Sequence, residues 1–147
     1  MYSLEEFDKQ KTKVLKYILY KKRTENEVRT KFSKDIDEEM LEDIIDYLKE
    51  AGYINDYEYI EKTVNQYIIL KNLSIKEITY KLYSKGINKR LVEKYLEENY
   101  EELNNYERKS AQNIINKKKM TMMEEQEIKM YLLRKGYKSD NIELGEE

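Results

Sequence analysis

The sequence predicts an all-α protein built as three tandem three-helix repeats of about 50 residues each, stacked into an elongated, curved molecule. Three observations predict it. Val14, Tyr17, Ile18, Glu27, Val28, Lys31, Phe32 and Leu41 are matched without a gap, 50 positions on, by Val64, Tyr67, Ile68, Glu77, Ile78, Lys81, Leu82 and Leu91. A further 50 positions reach Ile114, Glu127, Ile128 and Leu132, and Lys85-Gly86-Ile87 falls over Lys135-Gly136-Tyr137. Within a copy, apolar residues such as Leu41, Ile44, Ile45 and Leu48 recur at three- and four-residue steps, the spacing of one helix face, and strand alternation is absent.

The elements follow in order. Helices are expected over 9–22, 24–34 and 37–51, with residues 1–8 extending the first one backwards. The second copy is expected at 55–71, 74–85 and 88–103, and the third at 106–119, 122–135 and a short 139–144. Repeat boundaries are therefore expected at 1–54, which includes the N-terminal extension, 55–104, and 105–147, where the third helix is truncated. Thr24 with Glu27, Ser74 with Glu77 and Thr121 with Glu124 read as capping boxes, in which hydroxyl and carboxylate satisfy the unpaired amides of a helix start. Asp37, Asn88 and Ser139 are the expected caps of the third helices. Gly52, Gly86 and Gly136 each follow a helical segment, where a left-handed residue closes a helix without steric cost. A single long coiled coil competes with this reading, but its heptads are not sustained and a cap interrupts the pattern every dozen or so residues.

Composition limits the chemistry. The 147 residues contain no cysteine, histidine, proline or tryptophan, which removes the thiol nucleophile, the imidazole base, the usual zinc ligands and any disulfide. No phosphate-binding glycine loop occurs, and the paired carboxylates sit in runs such as Asp35 to Asp46 that read as solvated helix face. No enzyme, cofactor or metal is expected. Neither a signal-peptide pattern nor a membrane-length apolar run appears, so a cytoplasmic protein with no membrane partner is expected.

Formal charge is −2, but its distribution is uneven. Residues 9–34 hold ten cations and two anions, 35–61 one cation and eleven anions, 62–94 eight cations and two anions, and 108–119 five cations and no anion. The cations fall on the first and second helices of each copy, so stacking is expected to line them up as a basic strip. Its members are Lys21, Lys22, Arg23, Arg29 and Lys31 in the first copy, and Lys71, Lys76, Lys81, Lys85, Lys89 and Arg90 in the second. Arg108, Lys109, Lys117, Lys118, Lys119, Arg134 and Lys135 complete it in the third. The same charges would otherwise solvate the surface and pair with neighbouring acidic helices. Of the 15 tyrosines, Tyr17, Tyr47, Tyr67 and Tyr95 recur at apolar helix positions and are expected to fill the core with the hydroxyl at the rim. Met120, Met122, Met123 and Met130 read as soft packing in the third copy.

Assembled in order, these features resemble the RecX family of RecA regulators over roughly residues 10–143. The resemblance rests first on Val14-Leu15, Tyr17-Ile18-Leu19, Arg23-Thr24, Glu27-Val28-Arg29 and Lys31-Phe32. It continues in Leu48, Gly52-Tyr53-Ile54-Asn55-Asp56 and Tyr59-Ile60, and closes in Leu132, Arg134-Lys135-Gly136-Tyr137, Asp140 and Ile142. The family usually carries Phe-Ala where this chain has Tyr59-Ile60, and commonly a glycine where it has Lys71-Asn72-Leu73. The resemblance implies a protein that binds RecA in the groove of its filament on single-stranded DNA, limiting filament growth, ATP hydrolysis and strand exchange. A monomer is expected. Two other readings stand beside it: an autonomous nucleic-acid-binding helical protein, and a scaffold that binds unrelated proteins. The acidic third helices, with Asp37, Glu38, Glu39, Glu42, Asp43 and Asp46, argue against a DNA-reading role for those helices.

Overall fold

Hydroxyl and amide caps set where the helices begin. In the computed structural model, which describes residues 2–145, Ser3 opens α1 (Leu4–Tyr20), Thr24 opens α2 (Glu25–Phe32) and Asn55 opens α4 (Asp56–Leu70). Ser74 opens α5 (Ile75–Ser84), and Asn88 opens α6 (Lys89–Glu98) by accepting from the Arg90 and Leu91 amides. The remaining helices are α3 (Glu38–Glu50), α7 (Tyr100–Met120) and α8 (Glu125–Arg134), followed by one 3₁₀ turn (Ser139–Asn141). Among the described residues all regular structure is helical, as expected. The boxes Thr24–Glu27 and Ser74–Glu77 are both complete, and Gly52, Gly86 and Gly136 all have positive φ.

Several local expectations are corrected. Thr121 and Glu124 form no capping box: the Thr121 hydroxyl donates back to Lys118 O within the end of α7, and Met122, at φ 66°, turns the chain before α8. Asp37 precedes α3 without a side-chain cap bond, and Ser139 lies inside the 3₁₀ turn rather than capping a helix. A third helix over 139–144 is therefore replaced by one short turn. The break expected at 104–105 is moved to Asn99, whose side chain donates to Tyr95 O at 2.9 Å. Leu103, Tyr106, Glu107 and Ser110 then form one buried face of a continuous α7.

Apolar side chains gather in three clusters. Val14, Ile18, Val28, Phe32, Ile36, Met40, Leu41, Ile44, Ile45, Leu48 and Ile54 are shared by α1, α2, α3 and the loops around α3. A second cluster joins α4, α5, α6 and the start of α7 through Ile60, Val64, Ile78, Leu82, Val92, Tyr95, Leu103 and Tyr106. The smallest, Ala111, Ile115, Ile128, Leu132 and Tyr137, joins α7, α8 and the following loop. Tyrosine contributes differently from expectation. Tyr95 is buried, but Tyr17 and Tyr67 are half-buried and Tyr47 stays 48% exposed, its ring packed edge-on against Phe7. Tyr106 and Tyr137 supply the buried rings instead. Of the four methionines expected to pack in the third copy, Met123 packs onto the third cluster; Met120, Met122 and Met130 are exposed, because they lie at the end of α7, in the turn, and on the outer face of α8.

Polar joints connect the clusters. Asp56, in the first turn of α4, accepts the first free amide of α2, Glu25 N, at 3.0 Å. Glu107, on α7, does the same for α5 by accepting Ile75 N at 2.7 Å. Each joint also has a glycine: an added Cβ at Gly86 would fall 2.3–2.9 Å from Asn26, and one at Gly136 would fall 2.9 Å from Lys76. Two helix N-termini are thus each closed by a carboxylate and a glycine from the elements that follow.

Candidate partner-binding surface

The joints hold α2 and α5 in place, and these two helices with the ends of α1, α4 and α7 carry most of the cations. Several cations are tied down. The Arg29 guanidinium donates to both Glu42 oxygens at 2.8 Å and also binds Glu25, which Lys49 approaches at 3.0 Å. Burial pushes the Glu25 carboxyl up, but Lys49 and Arg29 outweigh that and hold it below its ordinary value. Arg29 holds Glu42 below the usual range as well. Arg29 is therefore a bracket between α2 and α3 rather than an open contact.

Others are partly engaged. Lys22 pairs with Glu58, Lys119 with Glu125 at 3.3 Å, and Lys135 with Glu77 at 3.5 Å. Arg108 binds Asn141 Oδ1 at 3.2 Å and Asn105. Arg23 lies 3.9 Å over the Tyr17 ring, with Lys31 5.8 Å from it on the same residue. Lys118 sits 4.0 Å and Lys135 5.5 Å from the Tyr131 ring centre, and Lys85 5.9 Å from that of Tyr59. Partial burial pulls the Lys85 ammonium down, yet the Tyr59 phenol and Glu27 more than offset it. Lys21, Lys71, Lys76, Lys81, Lys89, Arg90, Lys109, Lys117 and Arg134 are exposed and make no ion pair among the described residues.

Two clefts flank the first joint. Tyr17, Asn26, Glu27, Thr30, Lys31, Ser84 and Lys85 line one of 430 Å³, which brings Lys31 and Lys85 together from different clusters. The other, of 540 Å³, is lined by Asp56, Tyr57, Asn88, Arg90, Leu91 and Lys94 with Glu25 and Lys49. Lys49 and Lys94 lie outside the expected strip: Lys49 is the one cation among six acids on α3, and Lys94 follows Lys89 and Arg90 on α6, where the fold brings it to the same cleft as Arg90. The joint carboxylates were also missed; Asp56 and Glu107 lie 51 residues apart, one off the repeat period, and that spacing is the signal that could have found them. Among the described residues no group of Asp and Glu is arranged to hold a metal ion, and no helix is long and apolar enough to cross a membrane.

Fold and surface together define a protein that is all-helical over its described residues, with cations brought to its surface from several helices. No family model matches the sequence. A Regulatory protein RecX of Staphylococcus epidermidis is 31% identical over 150 residues, covering 98% of this chain and 56% of the relative. One of Finegoldia magna is 42% identical over 85 residues, 57% of this chain and 42% of that protein. The crystal structure of RecX from Lactobacillus salivarius superposes with a TM-score of 0.77 at 28% identity, covering 95% of this chain and 93% of the other. The chain belongs to the RecX family. It spans about half the length of the curated relatives it matches.

Proposed function

We propose that this protein regulates the RecA recombinase by binding RecA and its filament on single-stranded DNA, mainly inhibiting filament growth, ATP hydrolysis and strand exchange. The observation that carries this reading is membership of a family of regulatory proteins, joined to a strip in which nine exposed cations make no ion pair among the described residues. The architecture in this reading is three tandem three-helix repeats, the third truncated, stacked into an elongated, curved molecule that follows a helical groove. The basic strip supplies the electrostatic attraction to acidic protein surface and DNA phosphate, and no catalysis by this chain is involved. Arg29 is left out of the contact set because α2 and α3 need it.

The test is DNA-stimulated ATP hydrolysis by RecA of the same organism, titrated with this protein at fixed single-stranded DNA, beside DNA binding by this protein alone. Inhibition below one molecule per RecA monomer is expected. Salt-sensitive DNA binding with no effect on RecA would instead make this an autonomous nucleic-acid-binding protein.

A further inference from the structure

The first helices of the three segments end at Tyr20, Leu70 and Met120, 50 residues apart, and each end leaves large apolar side chains in water. Leu19 and Tyr20, Ile69 and Leu70, and Met120 and Met122 are each between 64% and 89% exposed. They belong to none of the three clusters, whose buried contributions from these helices are Val14 and Ile18 from α1, Ile60 and Val64 from α4, and Leu103, Tyr106, Ala111 and Ile115 from α7. A lone exposed leucine needs no explanation, but an apolar knob at the same helix end three times over is not accounted for by internal packing. A cation follows or abuts every knob: Lys21, Lys71 and Lys119.

We infer that these three knobs are the apolar half of the docking surface, and that they seat in carboxylate-rimmed apolar pockets that recur from subunit to subunit along the protein face of the RecA filament. This rests on the function proposed above and names its contact. The open cations Lys21 and Lys71 beside two of the knobs call for an acidic rim, while Lys119 beside the third is held by Glu125, and an apolar contact recurring every 50 residues along one chain suits a partner whose own surface repeats. A twofold pairing of two copies offers no such repetition. An anionic lipid surface is disfavoured by residues 35–61, with eleven anions to one cation. Apolar burial supplies the affinity that charge alone supplies poorly, and the cations set orientation and association rate.

The experiment uses the full chain with Leu19→Ser and Tyr20→Ser, with Ile69→Ser and Leu70→Ser, with Met120→Ser and Met122→Asn, and with all six changes together. Met122 becomes asparagine because its positive φ favours that residue. The readouts are co-sedimentation with RecA filaments on single-stranded DNA and inhibition of RecA ATP hydrolysis; helical circular dichroism and unfolding midpoint report folding. Each pair is expected to raise the inhibitory midpoint by about tenfold, and all six by about a hundredfold or more, with helicity unchanged. A six-fold variant that binds and inhibits at the wild-type midpoint would overturn the knob assignment and leave the proposed function standing. A wild-type protein that neither binds nor inhibits the filament would overturn both. Loss of anionic-vesicle binding or of wild-type self-association in the variants, with filament binding intact, would assign the knobs to lipid or to a second copy and equally overturn the inference.

Discussion

Glu107 is a fully buried carboxylate without a buried cation beside it, held by hydrogen bonds alone. It accepts Ile75 N at 2.7 Å, Lys138 N at 3.0 Å and Asn141 Nδ2 at 2.7 Å, so one side chain serves the start of α5, the chain after α8 and the 3₁₀ turn. Removing it strands three donors in a site too enclosed to hydrate freely. Glu107→Ala is expected to lower stability by about 3 kcal/mol, and Glu107→Gln, which keeps one acceptor oxygen, by about 1–2 kcal/mol. Urea unfolding followed by circular dichroism checks both; equal loss in the two variants would mean that volume rather than hydrogen bonding holds the joint. Asp56 does the corresponding work for α2, and burial pushes its carboxyl above the ordinary value despite the Glu25 amide.

Between elements, the Arg29 bracket makes the α2–α3 contact pH-dependent. Glu25 and Glu42 are both held below the usual 4.5, so unfolding at low pH takes up protons. Their contribution is at full strength above about pH 4.5 and is lost as pH falls through their native values. Asp56, shifted the other way, contributes with the opposite sign, its cost growing as pH rises above its usual 3.8. Arg29→Gln is therefore expected to flatten the fall in urea midpoint between pH 5 and 3, those bounds chosen about the carboxylate range, while leaving Asp56 untouched. An unchanged slope would show that the bracket does not hold in solution. At the helix start beside it, Thr24→Ala is expected to cost about 1 kcal/mol or somewhat more, since the buried hydroxyl caps Glu27 N and its own amide is bound by Glu27.

For the whole molecule, what matters is which cations remain open once the internal pairs are made. Lys21, Lys76 and Lys81 are exposed and unpaired among the described residues, and Lys31 is exposed beside the Tyr17 ring, whereas Arg29, Lys119 and Lys135 already have carboxylate partners. Reversing Lys21, Lys31, Lys76 and Lys81 together to glutamate is expected to raise the RecA-inhibitory midpoint at least tenfold, on the order of one rim contact each. The unfolding midpoint and helicity should hold. Wild-type inhibition by that variant would remove the strip from the binding surface.

Residue spacing by itself determined the helical class, both complete capping boxes, the glycine-closed helix ends and the apolar faces of α2, α3, α5 and α6, because each depends on neighbours within a turn or two of chain. The family resemblance carried on Gly52 to Asp56 and Arg134 to Tyr137 was also legible there. Tertiary structure alone decided that Thr121 turns back on α7, that the break falls at Asn99 instead of near residue 104, and that Asn141 ends a 3₁₀ turn. It also decided which lysines are open and that Asp56 and Glu107 close their neighbours' helices. The Thr121 and Asn99 bonds reach only three and four residues back, but the closed helix starts and the 3₁₀ turn depend on partners 31 to 37 residues away, such as Glu25 with Asp56, Ile75 with Glu107 and Asn141 with Asn104. A local pattern states what a side chain can offer, and only the fold brings to it the distant group that accepts.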